Sequence, residues 1–188
     1  MLGTPRRQFG NIVGHVKGVG DMGSLSEWTA KQFDPALSWD DVQWIKKRWG
    51  GKLILKGIMD VEDARLAADS GADALIVSNH GGRQLDGAPS SIEALPAIVD
   101  AVGDRIEVHM DGGIRSGQDV LKALALGAKG TYIGRAMLYG LGAMGEAGVT
   151  RALEIIHKEL DITMAFCGHT DIRKVGREIL LPGTYPTA

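Results

Sequence analysis

Cysteine is all but missing from this chain. Cys167 is the only one in 188 residues, so no disulfide can form within the chain, and a lone thiol fits a reducing compartment. It reads as a small apolar residue near a C-terminal helix. Aromatics are sparse, and the three Tyr and three Phe are not interleaved with basic residues. The net charge of -2 supplies no basic field, so nucleic acid is not expected as a partner. No apolar run approaches the roughly 20 residues of a membrane-crossing helix, and residues 1–10 lack the apolar centre of a signal peptide. Cytoplasm is the expected location. Metal-ligand spacing is missing too: His15, His109, His157 and His169 form no set, and His109 reads as a satisfied interior side chain. No metal is expected.

What is present is the pattern of a globular α/β chain, with 44% hydrophobic residues and both charge signs mixed. Residues 1–37 carry weak periodicity and read as a loop-rich segment with room for one short helix. Residues 38–188 are regular. Strands are predicted over 52–57, 72–79, 106–110 and 130–133. Helices follow from the capping patterns at Ser38-Trp39-Asp40-Asp41, Asp60-Val61-Glu62-Asp63, Ser90-Ser91-Ile92-Glu93 and Ser116-Gly117-Gln118-Asp119. A short helix is predicted over 136–139, a longer one over 144–160 and a weaker one over 171–177. Strand and helix units joined by short loops imply parallel strands with right-handed crossovers, which suits a barrel or an open sheet. Gly18-Val19-Gly20-Asp21-Met22-Gly23 matches the dinucleotide fingerprint literally, but no apolar strand leads into it, and it is rejected on that ground.

Each predicted strand ends on something polar. Leu75-Ile76-Val77 runs into Ser78-Asn79-His80-Gly81-Gly82-Arg83, placing an imidazole and a guanidinium on one loop. Histidine can take a proton near neutrality, and arginine grips a carboxylate through two parallel hydrogen bonds. Such a pair suits an organic acid; a helix-capping loop is the alternative. Lys56, after Leu53-Ile54-Leu55, needs either anionic cofactor oxygens or an internal ion pair with a carboxylate such as Asp111. Asp111-Gly112-Gly113-Ile114-Arg115 and Gly134-Arg135 read as tandem anion loops, glycines admitting backbone N–H groups and arginines neutralising charge.

Those motifs, with Leu53-Ile54-Leu55-Lys56-Gly57, the continuation Gln84-Leu85-Asp86, and Ala123-Leu124-Ala125-Leu126-Gly127-Ala128 before Ile133-Gly134-Arg135, resemble the FMN-dependent L-2-hydroxy acid dehydrogenase and oxidase family. That family includes L-lactate dehydrogenase, glycolate oxidase and mandelate dehydrogenase. The resemblance implies the C-terminal half of a (β/α)8 TIM barrel, about four β-α units plus C-terminal helices. It implies His80 as catalytic base and Arg83 as the clamp on the substrate carboxylate. FMN would be held by Lys56, Ser78, Asp111, Gly112, Gly113, Ile114, Arg115, Gly134 and Arg135. The expected activity is oxidation of a small 2-hydroxy acid, L-lactate foremost, and the alternative is an inactive FMN- or phosphate-binding remnant. The resemblance also implies peripheral contact with the inner face of a membrane through residues 1–37. Unpaired outer strands of a half-barrel lead us to expect a homo-oligomer.

Overall fold

A computed structural model describes Gly10, Ile12 and residues 14–186. The chain divides into two units, residues 1–38 and 39–188. In the first, the described residues contain one helix, α1 (Met22–Ala30), whose first turn is capped by Asp21 accepting from Ser24 N at 2.8 Å. The fingerprint-like glycines 18–23 lead into this helix, but only an isolated bridge at Val16 precedes them among the described residues. A dinucleotide turn needs a buried strand there.

The second unit alternates helix and strand as the capping signals predict. Helix α2 (Trp39–Trp49) begins directly after Ser38, and β1 (Ile54–Ile58), α3 (Val61–Asp69), β2 (Ala74–Val77), α4 (Ser91–Val102), β3 (Glu107–Met110), α5 (Gly117–Ala125) and β4 (Gly130–Thr131) follow. Asp60 caps α3 by accepting from Glu62 N at 2.8 Å, and Ser90–Glu93 and Ser116–Asp119 form reciprocal boxes on α4 and α5. All strands run parallel in the order β1-β2-β3-β4. Leu75 and Val77 of β2 and Val108 and Met110 of β3 pack on Ala64 and Ala67 of α3, Leu95 and Ile98 of α4, and Ala123 of α5. Burying one such large aliphatic side chain contributes about 1.5–3 kcal/mol. By the two-residue period of a strand, Ile54, Lys56, Ile76, Ser78, Glu107 and His109 fall on the opposite face.

The structure differs from the sequence reading at four places. The strand predicted over 130–133 pairs only at Gly130 and Thr131, because β3 is its sole described neighbour. The short helix predicted at 136–139 is α6 (Arg135–Met144), and α7 (Glu146–Phe166) starts after Gly145 at φ 62. Gly140 and Gly148 are the contact that lets these helices touch, since a Cβ on Gly148 would fall 1.8 Å from the Gly140 carbonyl oxygen. The weak helix over 171–177 is two 3-10 turns, Ile172–Lys174 and Arg177–Ile179, tied to α4 by Arg177 to Asp100 at 2.7 Å. Cys167, expected to pack as an apolar residue, is exposed at the end of α7. His109 is satisfied as expected, bonding Glu107 at 3.1 Å and facing the Tyr132 ring at 5.8 Å.

The end of the sheet remote from the polar loops is pinned by Asp73. Its carboxylate accepts from Lys46, from Leu53 N at 2.8 Å and from Lys52 at 2.9 Å. Those donors, Lys46 foremost, hold the Asp73 carboxyl well below the ordinary carboxylate range. A carboxyl depressed in the folded state stabilises the fold at pH well above its ordinary value, and that contribution disappears as pH falls toward the folded-state value. Asp73→Asn should therefore lower the urea midpoint at neutral pH and flatten its decline on acidification; an unchanged acid slope would remove Asp73 as the cause.

Candidate active site

The C-terminal ends of β1, β2 and β3 meet in one polar node. Lys56 donates to Ser78 Oγ at 2.8 Å and pairs with Asp111 Oδ2 at 3.0 Å. Of the two partners weighed for Lys56, the internal carboxylate is thus present. It does not exhaust the site: the other oxygen of the same carboxylate, Oδ1, is buried and has no hydrogen-bond partner among the described residues. A buried acceptor left unpaired carries a desolvation cost of roughly 1–3 kcal/mol, which a donor from a bound group would offset.

His80 stands beside this node on backbone that few side chains adopt. Its φ of 56 is the only positive value at a non-glycine position among the described residues, and such outliers cluster where function over-determines the chain. The imidazole lies across the bulge in β1 at Gly57, between the pairings of Lys56 and Ile58. A Cβ on Gly57 would fall 2.9 Å from His80 Cε1, and Gly57 itself has φ +100. Both facts require glycine there. Gly57→Ala should displace the ring, seen as a changed His80 Cε1–H chemical shift, and lower the thermal midpoint; an unshifted resonance would show that the ring does not rest on this glycine.

Arg83 closes the 3-10 turn His80–Gly82 and is exposed at the mouth of a cavity of about 280 Å³. The cavity is lined by Lys56, His80, Arg83, the whole of 111–115, Gly134 and Arg135. Ser78 reaches it through its bond to Lys56 and by accepting from His80 N at 3.2 Å. Every site residue expected from the sequence is therefore in this cavity or one hydrogen bond away.

The opposite wall combines open glycines, an uncapped helix start and two arginines. Gly113, at φ +84, and Gly134 have no atom within 4 Å of a built Cβ, so both leave open space. Helix α6 starts at Arg135 with no side-chain cap on its N-terminal N–H groups, and those groups carry partial positive charge. Arg115 N and Ser116 N donate to Asp119 Oδ2 at 3.0 and 2.9 Å, fixing the turn that carries the Arg115 side chain. Ile114 is buried beneath it. Arg135 Nη2 donates to Gly81 O at 3.1 Å, linking the anion wall to the histidine loop. Lys56, Arg83, Arg115 and Arg135 against the single carboxylate of Asp111 give the cavity a net positive field.

Sequence reasoning did not assign Tyr132, Ile133 or Leu138, which also line the cavity, because apolar residues after a strand carry no chemical signal of their own. Asn79 and Ser91 carry no signal in the sequence beyond their places in a motif and in a helix-capping pattern. Among the described residues, no cluster of His, Cys, Asp and Glu is arranged for a metal, and no helix is long and apolar enough to cross a membrane.

Comparison with known proteins follows the same lines as the geometry. The family model for FMN-dependent dehydrogenases matches residues 4–182. L-lactate dehydrogenase of Caulobacter vibrioides is 51% identical over 180 residues, covering 96% of this chain and 47% of that protein. L-lactate dehydrogenase of Pseudomonas syringae pv. syringae is 47% identical over 181 residues, with the same coverage. Among solved structures, the monotopic membrane protein (S)-mandelate dehydrogenase superposes with a TM-score of 0.81 at 38% identity, over 87% of this chain and 43% of that one. A mandelate oxidase variant carrying a monooxide FMN adduct gives a TM-score of 0.74 at 46% identity, over 78% of this chain and 46% of its own. The chain spans about half the length of the curated relatives it matches.

Proposed function

The chain belongs to the FMN-dependent dehydrogenase family, and from that premise we propose that it carries the proton-transfer and phosphate-binding half of an enzyme oxidising an L-2-hydroxy acid, L-lactate foremost, to the 2-oxo acid. The observation that carries the reading is the convergence of three strand ends, through Lys56, Ser78 and Asp111, on a cavity shared by His80, Arg83 and Arg135. The preference for L-lactate rests on the names of relatives 45–51% identical to this chain.

The site has the features FMN requires: an unpaired buried acceptor at Asp111, open glycines at 113 and 134, and an uncapped helix start flanked by Arg115 and Arg135. When bound, FMN supplies the two-electron sink that side chains lack. Gly113, Arg115, Gly134 and Arg135 would hold its phosphate, and Lys56 with Ser78 would meet the polar edge of its ring. Arg83 would bind the substrate carboxylate through its guanidinium fork. His80 would accept the proton released as the alcohol becomes a ketone, its imidazole already held in place by packing on Gly57. A cavity of about 280 Å³ is at the lower edge of the roughly 300–1,000 Å³ typical of small-molecule sites. FMN should thus bind this chain more weakly than a relative of full length.

The test is to load the purified chain with FMN and add L-lactate without oxygen. Bleaching of the yellow flavin by the L isomer and not the D isomer supports the reading. Retained FMN that never bleaches assigns the chain instead to binding without turnover.

The sheet also bears on assembly. We propose self-association through the free edges of β1 and β4, where Ile54 and Tyr132 are 47% and 42% exposed; unpaired strand edges are templates for further pairing. Light scattering should give a mass above the 20.0 kDa of one chain, and a monodisperse monomer at high concentration would refute it. Residues 1–37, named above for membrane contact, lie partly outside the described residues. That contact remains our proposal, supported by the monotopic (S)-mandelate dehydrogenase, and vesicle sedimentation of the chain with and without those residues tests it.

A further inference from the structure

Three consecutive residues, His80, Gly81 and Gly82, have positive φ values of 56, 69 and 70. Glycine adopts this backbone freely, whereas histidine does not, so neighbouring bonds must hold His80 in it. Ser78 Oγ accepts from His80 N at 3.2 Å, and the bonds that fix the rest of the turn converge on two further side chains. Asn79 Oδ1 accepts from Gly81 N at 3.0 Å, while its Nδ2 donates to Pro89 O at 3.2 Å, ten residues along the chain. One amide therefore fixes the turn and also closes the loop that carries His80 and Arg83. Ser91 Oγ, buried in the first turn of α4, accepts from Asn79 N at 3.2 Å and anchors the loop to the helix. The anion wall docks on the same junction: a Cβ on Gly112 would fall 2.8 Å from Ser91 Oγ and 3.2 Å from Asn79 Oδ1.

We propose that Asn79 and Ser91 are positioning residues that lock the left-handed turn at His80, aim its imidazole across Gly57, and couple that aim to the 111–115 loop. The assignment deepens the reading of His80 as proton acceptor and rests on it, but the geometry concerned is present without flavin. Ser90 is the internal contrast. It caps the same helix through its box with Glu93, and none of its hydrogen bonds reaches the histidine loop.

The decisive measurement is the nuclear Overhauser contact between His80 Hε1 and Gly57 Hα in the labelled full chain without FMN. Asn79→Ala and Ser91→Ala should weaken it several-fold while the dispersion of the core amides is kept, and Ser90→Ala should leave it intact. Asn79→Asp keeps the acceptor for Gly81 N but loses the donor to Pro89 O, so it should fall between wild type and Asn79→Ala. Should Asn79→Ala fail to fold, Asn79→Asp and Ser91→Ala carry the comparison. An undiminished contact in the folded variants, or equal weakening in Ser90→Ala, overturns the proposal. In FMN-loaded protein the same variants should lower kcat; if the chain proves inactive, the Overhauser contact still decides.

Discussion

Replacing His80 with asparagine should leave the chain folded and able to bind FMN, yet slow flavin reduction by L-lactate about 10²- to 10⁴-fold, the range contributed by a positioned proton-transfer group. Asparagine is the informative choice because position 80 has φ 56. It is among the few residues that tolerate that region, so backbone strain is not added to the loss of the base. The imidazole is exposed and packs on a glycine, so its removal leaves no cavity in the core formed by Leu75, Val77 and Met110. Single-turnover bleaching measures the rate, and FMN titration measures binding separately. A rate unchanged from wild type would take His80 out of the chemistry. Equal losses of rate and FMN affinity would make it part of the cofactor site instead.

Local signals in this chain are strong, and they explain how much of the fold was legible. The caps at Asp60, Ser90 and Ser116 each satisfy N–H groups that a helix cannot satisfy itself, so residue type alone marks the start. The run Ala74–Val77, buried throughout, is short, apolar and bounded by turn residues, the pattern of a strand covered on both faces. Helices α6 and α7 were read poorly for the opposite reason. Gly140 and Gly148 look like breaks in a one-dimensional pattern, but their value is a close contact between two helices, which no local window contains. The candidate site divides the same way. Charged and glycine-rich strand ends announced Lys56, His80, Arg83, 111–115 and 134–135. The bulge that makes Gly57 the seat of the imidazole depends on β1 pairing with β2, and the bridge by which Asn79 joins Gly81 N to Pro89 O depends on a residue ten positions away. Chemistry was legible where one residue type implies it, and support was not, because support is a relation between elements.

The anion wall gives the second large effect. Arg135→Ala should weaken FMN binding about 10- to 100-fold, since a hydrogen bond to a charged group contributes about 1.5–3 kcal/mol and each 1.4 kcal/mol is tenfold. Arg135 opens α6, whose first N–H groups have no side-chain cap, so in the proposed site the guanidinium and the helix start would act on the same anion. It also donates to Gly81 O at 3.1 Å, so part of the loss could come from loosening the histidine loop. Riboflavin, which lacks the phosphate, separates the two contributions. If Arg135 serves the phosphate, the variant binds riboflavin as well as wild type does and loses affinity for FMN alone. Arg135→Lys should recover part of the FMN affinity through charge without restoring the planar fork that reaches Gly81. Equal losses for riboflavin and FMN would show that Arg135 acts through the loop, and the phosphate would then have to be held by Arg115 and the glycines of 111–115.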